Sequence, residues 1–139
     1  MNVRMMAAGA GVLAVLGPMA PATAATPVHI EASEPFVEGS EATFVSNLDG
    51  CESGTVENGR LSVAGTPSFG IFNGFKHFTC ADGSEFTIRL QARFGEGGST
   101  GTWAFVGGTY AGSGTLVGTP FPEEEGPGIT DVYDGTMRP

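Results

Sequence analysis

The sequence predicts an all-β domain, a small antiparallel β-barrel closed on itself. Beyond the first 25 residues no stretch keeps a helical period; short runs of alternating apolar and polar residues recur between Gly, Asn, Asp and Pro. Nine such runs in one small domain argue for a closed meander, because closure removes exposed strand edges. Residues 101–118, GTWAFVGGTYAGSGTLVG, supply the third observation. They are dense in glycine yet hold Trp103, Phe105, Tyr110 and Leu116, which no flexible linker needs. Large rings set over strand glycines suit the tapering inside of a small barrel.

The chain opens with a separate element. Arg4 is followed by an apolar run from Met5 to Ala20 and by the small residues Ala22-Thr23-Ala24, the layout of a secretory signal peptide over residues 1–25. A membrane-spanning helix would need about 20 apolar residues, and this shorter run contains Gly9, Gly11, Gly17 and Pro18. Cleavage leaves residues 26–139 as one domain with one core. Loss of Arg4 leaves five Lys and Arg against fifteen Asp and Glu, a net charge of −10. That surface repels nucleic acid and anionic lipid, so neither is expected as a partner. The expected location is extracellular. Cys51 and Cys80, an even pair in an exported chain, predict one disulfide.

The candidate strands run in order. They are VHIEAS (28–33), EATFVS (41–46), CESGTVE (51–57), RLSVAG (60–65), IFNGFKHFTC (71–80), EFTIRLQARF (85–94), TWAFV (102–106), TYAGSGTLV (109–117) and ITDVYD (129–134). Asn58-Gly59 reads as a two-residue hairpin turn setting Glu57 opposite Arg60 and Val56 opposite Leu61. Asp82-Gly83 reads as the turn of the longest hairpin, with Phe78 facing Thr87, His77 facing Ile88 and Phe75 facing Leu90. On that register one face carries Ile71, Asn73, Phe75, His77, Thr79, Phe86, Ile88, Leu90, Ala92 and Phe94 and is the expected buried face. Lys76, Cys80, Thr87, Arg89, Gln91 and Arg93, with Phe72 and Phe78, fall on the other. Asn73-Gly74 reads as a bulge or bend, since a turn there would leave strands too short to pair. Gly107-Gly108 reads as a tight turn setting Phe105 opposite Tyr110 and Trp103 opposite Gly112.

At these residues the chain resembles the small secreted proteins of actinobacteria with an allene oxide cyclase-like barrel, an architecture that dirigent proteins share. The resemblance is carried by an early cysteine, KHFTCADGS (76–84), the Trp-x-x-x-Gly-Gly-Thr run from Trp103 and the closing ITDVYDG (129–135), over about residues 40–135. The chain is shorter than such proteins between Gly-Gly-Thr and Tyr110 and before the final Gly-x-Gly. The resemblance implies about eight strands and room for an apolar ligand. It carries over no catalytic residue.

Among residues with chemistry, His77 is the single titratable side chain on the expected buried face, flanked by Asn73 and Thr79. An imidazole inside a barrel could orient a small molecule or act as a base; equally, it could be a mouth histidine bonded to water or backbone. The expected ligand wall is His77, Asn73, Thr79, Phe75, Phe86, Ile88, Trp103 and Tyr110. Asp131 and Tyr133 share a face of the last strand and either add an acid and a hydroxyl to the interior or close the barrel by hydrogen bonds. Glu123–Glu125 form an acidic run that reads as solvated rather than as a calcium site. GTYAGSG lacks the lysine and following helix of a phosphate-binding loop, and no Gly-x-Ser-x-Gly nucleophile elbow occurs. No metal and no cofactor are expected, and no catalytic constellation emerges. The sequence therefore points to a secreted barrel that binds a small apolar ligand without turnover, and second to a cyclase- or dirigent-like enzyme steering a reactive intermediate.

Overall fold

A computed structural model of the chain describes residues 25–138; the signal-peptide reading of residues 1–25 lies almost wholly outside them. Eight strands form one closed antiparallel barrel: β1 (Thr26–Pro35), β2 (Ala42–Ser46), β3 (Ser53–Thr66), β4 (Phe69–Cys80), β5 (Glu85–Gly95), β6 (Gly98–Phe105), β7 (Gly112–Pro120) and β8 (Gly128–Met137). Each strand pairs with its sequence neighbours, and β8 closes the ring by pairing with both β7 and β1. The predicted meander and its closure are thus present. A single 3₁₀ turn, Glu123–Glu125, lies in the β7–β8 connection with no buried residue, as a solvated acidic run should.

Alternation decides which side chains enter the barrel. Val28, Ile30, Ala32 and Glu34 of β1 point in, as do Phe86, Ile88, Leu90 and Ala92 of β5, and Trp103 and Phe105 of β6. The middle of the barrel is filled by aromatic rings. Phe78 stacks on Phe86 with centroids 4.6 Å apart, Phe44 meets Phe78 edge-on at 5.2 Å, and Trp103 meets Phe105 at 5.0 Å. Tyr133 touches both Phe78 and Trp103, at 5.9 and 6.2 Å. The indole Nε1 of Trp103 donates to the Asp134 carbonyl at 3.2 Å. Trp103 lies opposite Gly114, where an added Cβ would stand 2.5 Å from the Gly135 Cα. The glycines of this stretch let three strands and one indole share a narrow space.

The Cys51–Cys80 disulfide forms, with Cα atoms 5.1 Å apart. Both cysteines are buried, so Cys80 points inward rather than outward as the expected register has it.

Three expected registers are corrected. Asn58-Gly59 is no turn: β3 runs on to Thr66, the reversal comes at residues 67–68, and a bulge between Asn58 and Leu61 absorbs the irregularity. Glu57 therefore pairs with His77 on β4, not with Arg60, and Val56 with Phe78. A Cβ at Gly59 would stand 2.6 Å from His77 Nε2, so this glycine serves close approach rather than a reversal. The nine candidate runs become eight strands because the third and fourth fuse.

The β4–β5 connection carries the larger correction. Cys80 N–H donates to Ser84 O at 2.7 Å and Gly83 N–H to Cys80 O at 2.9 Å, leaving three residues, Ala81–Gly83, in the loop. Gly83 takes φ of 92°, and the Asp82 carboxylate accepts from Ser84 N–H at 2.9 Å. Three-residue hairpins of this kind end on a left-handed glycine. An odd loop shifts the pairing by one residue: Phe78 faces Phe86, His77 faces Thr87, Lys76 faces Ile88 and Phe75 faces Arg89. A one-residue slip turns over every side chain of one strand. Phe72, Lys76, Phe78 and Cys80 go inward, while Ile71, Asn73 and His77 are exposed. Asn73-Gly74 makes no turn, as expected, but it holds no bulge either: its pairing with β5 runs through unbroken, and the irregularity lies on β3 between Asn58 and Leu61.

In the third, Gly107 and Gly108 do take positive φ, 67° and 74°. The connection is longer than two residues, however, so Trp103 pairs with Gly114 rather than Gly112, and Tyr110 lies in the loop with its ring 5.1 Å from Phe105.

Candidate functional site

The barrel interior is closed by rings at its middle, and the space with chemistry lies at one mouth, where the β1–β2, β3–β4, β5–β6 and β7–β8 connections gather. A cavity of about 380 Å³ opens there. Its wall is apolar, with Phe36, Leu61, Val63, Phe72, Phe94 and Ile129, and its floor carries Glu34, Lys76, Ser99 and Asp131. That size is within the usual range for small-molecule sites.

Four strands place the floor. Glu34 is the last inward residue of the β1 alternation Val28, Ile30, Ala32, Glu34. Lys76 comes from β4, with β2 and β3 between it and β1, so their ion pair crosses the interior: Lys76 Nζ donates to Glu34 Oε1 at 2.5 Å. Asp131 is on β8, opposite Ala32, and Ser99 is on β6. All four are nine-tenths or more buried. Gly118 on β7 makes room for two of them; a Cβ there would meet Ser99 Oγ and stand 2.6 Å from Asp131 Oδ1.

Two acids and one lysine in a dry site cannot all be charged cheaply. Burial, a hydrogen bond to Glu34 and the Glu34 charge push the Asp131 carboxyl up to about 8, against the opposing pull of Lys76. At neutral pH Asp131 is therefore protonated and donates to Glu34, whose Oε2 is buried with no other partner. Beside them the Tyr133 hydroxyl is buried and unpartnered, and burial with the Asp131 and Glu34 charges drives its pKa upward. The arrangement can hold a proton at neutral pH and take up or release it.

None of the eight expected wall residues lines this cavity. Phe86, Ile88 and Trp103 are inward but belong to the packed middle of the barrel. Tyr110 and Phe105 border a shallower cleft of about 460 Å³ at the opposite end, which contains no buried charge. His77 and Asn73 are exposed, and Phe75 and Thr79 are half-buried on the outer face, because β4 is turned over. There His77 Nδ1 shares a hydrogen bond with Thr87 Oγ1 at 3.0 Å across the hairpin. Of the residues with expected chemistry, Asp131 and Tyr133 do enter the interior. Glu34 was legible, since the alternation of β1 simply extends one step beyond the predicted strand end. Lys76 was hidden by the register. Among the described residues no cluster of His, Cys, Asp and Glu could hold a metal, and no helix is long and apolar enough to cross a membrane.

Fold and site together define a small disulfide-bonded, eight-stranded antiparallel barrel with an apolar mouth over a buried acid–lysine–acid floor. No family model, curated protein or solved structure matches the chain.

Proposed function

We propose that the protein is a secreted barrel that binds a small, largely apolar ligand in its mouth cavity and releases it unchanged. The observation that carries this reading is the 380 Å³ cavity, apolar in its walls and open to solvent, above an interior that aromatic rings already fill. A cyclising enzyme has to surround its intermediate, and the packed middle of this barrel offers no such chamber. The leader-like segment, the acidic composition and the buried disulfide support export. The resemblance of KHFTCADGS and ITDVYDG to allene oxide cyclase-like secreted proteins supports the same reading of a ligand-holding barrel.

Titration with an apolar fluorophore tests it. Saturable binding is expected, lost on Phe36→Asp at the exposed rim and unchanged in a variant of the outer face such as Asn73→Ala. Binding insensitive to Phe36→Asp would place the ligand elsewhere and defeat the reading.

A second reading, a cyclase- or dirigent-like enzyme, is favoured by one feature, the protonated Asp131 carboxyl at the cavity floor. Incubation with epoxy fatty acids and with phenoxy-radical precursors separates the two. Racemic products together with saturable binding support the binder. Stereocontrol that disappears in Asp131→Asn establishes the enzyme.

A further inference from the structure

The mouth cavity holds two carboxyl groups and one ammonium group, so the floor lacks one positive charge. Glu34 and Lys76 already pair at 2.5 Å. The residual acid, Asp131, is kept neutral by a proton. Around it β1 presents Glu34, β3 presents Asn58 with Leu61 and Val63, β4 presents Lys76, β6 presents Ser99, β7 presents Gly118 and Pro120, and Tyr133 of β8 lies nearby. β5 contributes Phe94 to the wall and no inward charge. Glu34 Oε2 is buried with no partner other than the Asp131 proton, so a cation that displaces that proton finds oxygens of both carboxyl groups free to accept from it.

Resting on the ligand-binding reading above, we infer that the mouth cavity takes an organic ammonium ion carried on an apolar body, with the cationic head at Asp131 and Glu34 and the body against Phe72, Phe94 and Val63. The charge balance closes. Before binding, the Asp131 proton leaves the floor with its Glu34–Lys76 ion pair and no net charge. When the ammonium enters, Asp131 gives its proton to solvent, and ligand and carboxylate cancel. Apart from the Asp131 O–H, whose proton passes to the buffer, no covalent bond changes. A carboxylate ligand would set a third acid beside two, with the lysine already engaged. An alcohol would leave the floor as it is and gain at most a neutral hydrogen bond. The surplus of acid over base in the whole chain, fifteen against six, also draws cations toward the surface.

The proton makes this inference testable apart from affinity. Burial and Glu34 hold the Asp131 proton up to about pH 8, so at pH 7 binding of an ammonium should release close to one proton. The probes are 2-phenylethylamine, 2-phenylethanol and 3-phenylpropanoate, titrated calorimetrically at pH 7 in two buffers of different ionisation enthalpy. The amine should bind at least tenfold tighter than the other two, release about one proton, and gain affinity as pH rises from 6 to 8. In Asp131→Asn the release should vanish and the preference for amine over alcohol should fall at least tenfold. If that variant does not fold, proton release by the wild-type protein alone decides. Amine binding without proton release, or alcohol or carboxylate binding as tight as the amine, overturns the ammonium assignment while leaving a mouth-binding barrel. Failure of all three probes to bind, together with failure of the apolar fluorophore, overturns both.

Discussion

Replacing Asp131 by Asn should reverse part of the protein's pH dependence of stability. In the folded state the Asp131 carboxyl is raised from 3.8 to about 8, by burial first and then by Glu34. Between those values the folded chain keeps a proton that the unfolded chain has lost. Stability from this group is therefore complete below about pH 4 and drains away as pH rises toward 8, with a slope of about 1.4 kcal/mol per unit. From pH 5 to pH 7 the loss is about 2.5 kcal/mol. Asparagine keeps a donor for Glu34 and has no proton to lose. The variant should therefore gain on the wild type by about that amount over the same interval. Urea unfolding at pH 5, 6 and 7 measures it, followed by fluorescence of Trp103, the single tryptophan, with the disulfide intact. Every other titrating group is common to both proteins, so the difference between the curves reports position 131 together with its coupling to Glu34 and Lys76. Parallel stability curves from pH 5 to pH 7 would refute a protonated, buried Asp131 and with it the proton accounting of the floor.

Other perturbations should respond in distinct ways. Lys76→Met leaves Glu34 buried without its cation and should cost about 3–5 kcal/mol by denaturant unfolding, whereas pairing it with Glu34→Gln should recover much of that loss. Replacing Cys51 and Cys80 together by Ala opens a loop between residues 29 apart and should lower stability by about 3–4 kcal/mol, read from the shift in urea midpoint. His77→Ala removes one exposed cross-strand bond to Thr87 and should cost under about 1 kcal/mol while leaving binding at the mouth unchanged; a clear loss of binding would restore His77 to the site.

Much of the barrel can be read from the chain because alternation is a local property. VHIEAS, EFTIRL and TWAFV each show their inward residues by period two, and those residues are inward. The aromatic–glycine stretch shows its purpose through volume: Trp103 needs a partner strand without side chains, and Gly114 supplies it. The cysteine pairing needs only the count. The site resisted the same reading for two reasons. Its floor draws Glu34, Lys76, Ser99 and Asp131 from four strands up to 97 positions apart, and no spacing rule links them. One of the four also depends on a single turn. Asp82-Gly83 fits a two-residue reversal as well as part of a three-residue loop, and the choice between them decides whether β4 shows the interior His77 or Lys76.

By itself, then, the sequence determined the class of fold, the closed meander, the inward faces of β1, β5 and β6, and the disulfide. Each follows from side-chain alternation, turn residues or cysteine number, which act over a few neighbours or need no geometry at all. The facing of β4, the fusion of two runs into β3, and the meeting of Lys76 with Glu34 and Asp131 depend on the closed barrel. A lone lysine on a strand can face either way on local grounds. It turns inward here because the three-residue Ala81–Gly83 loop sets that register, and closure of the barrel then brings Glu34 to it across the interior.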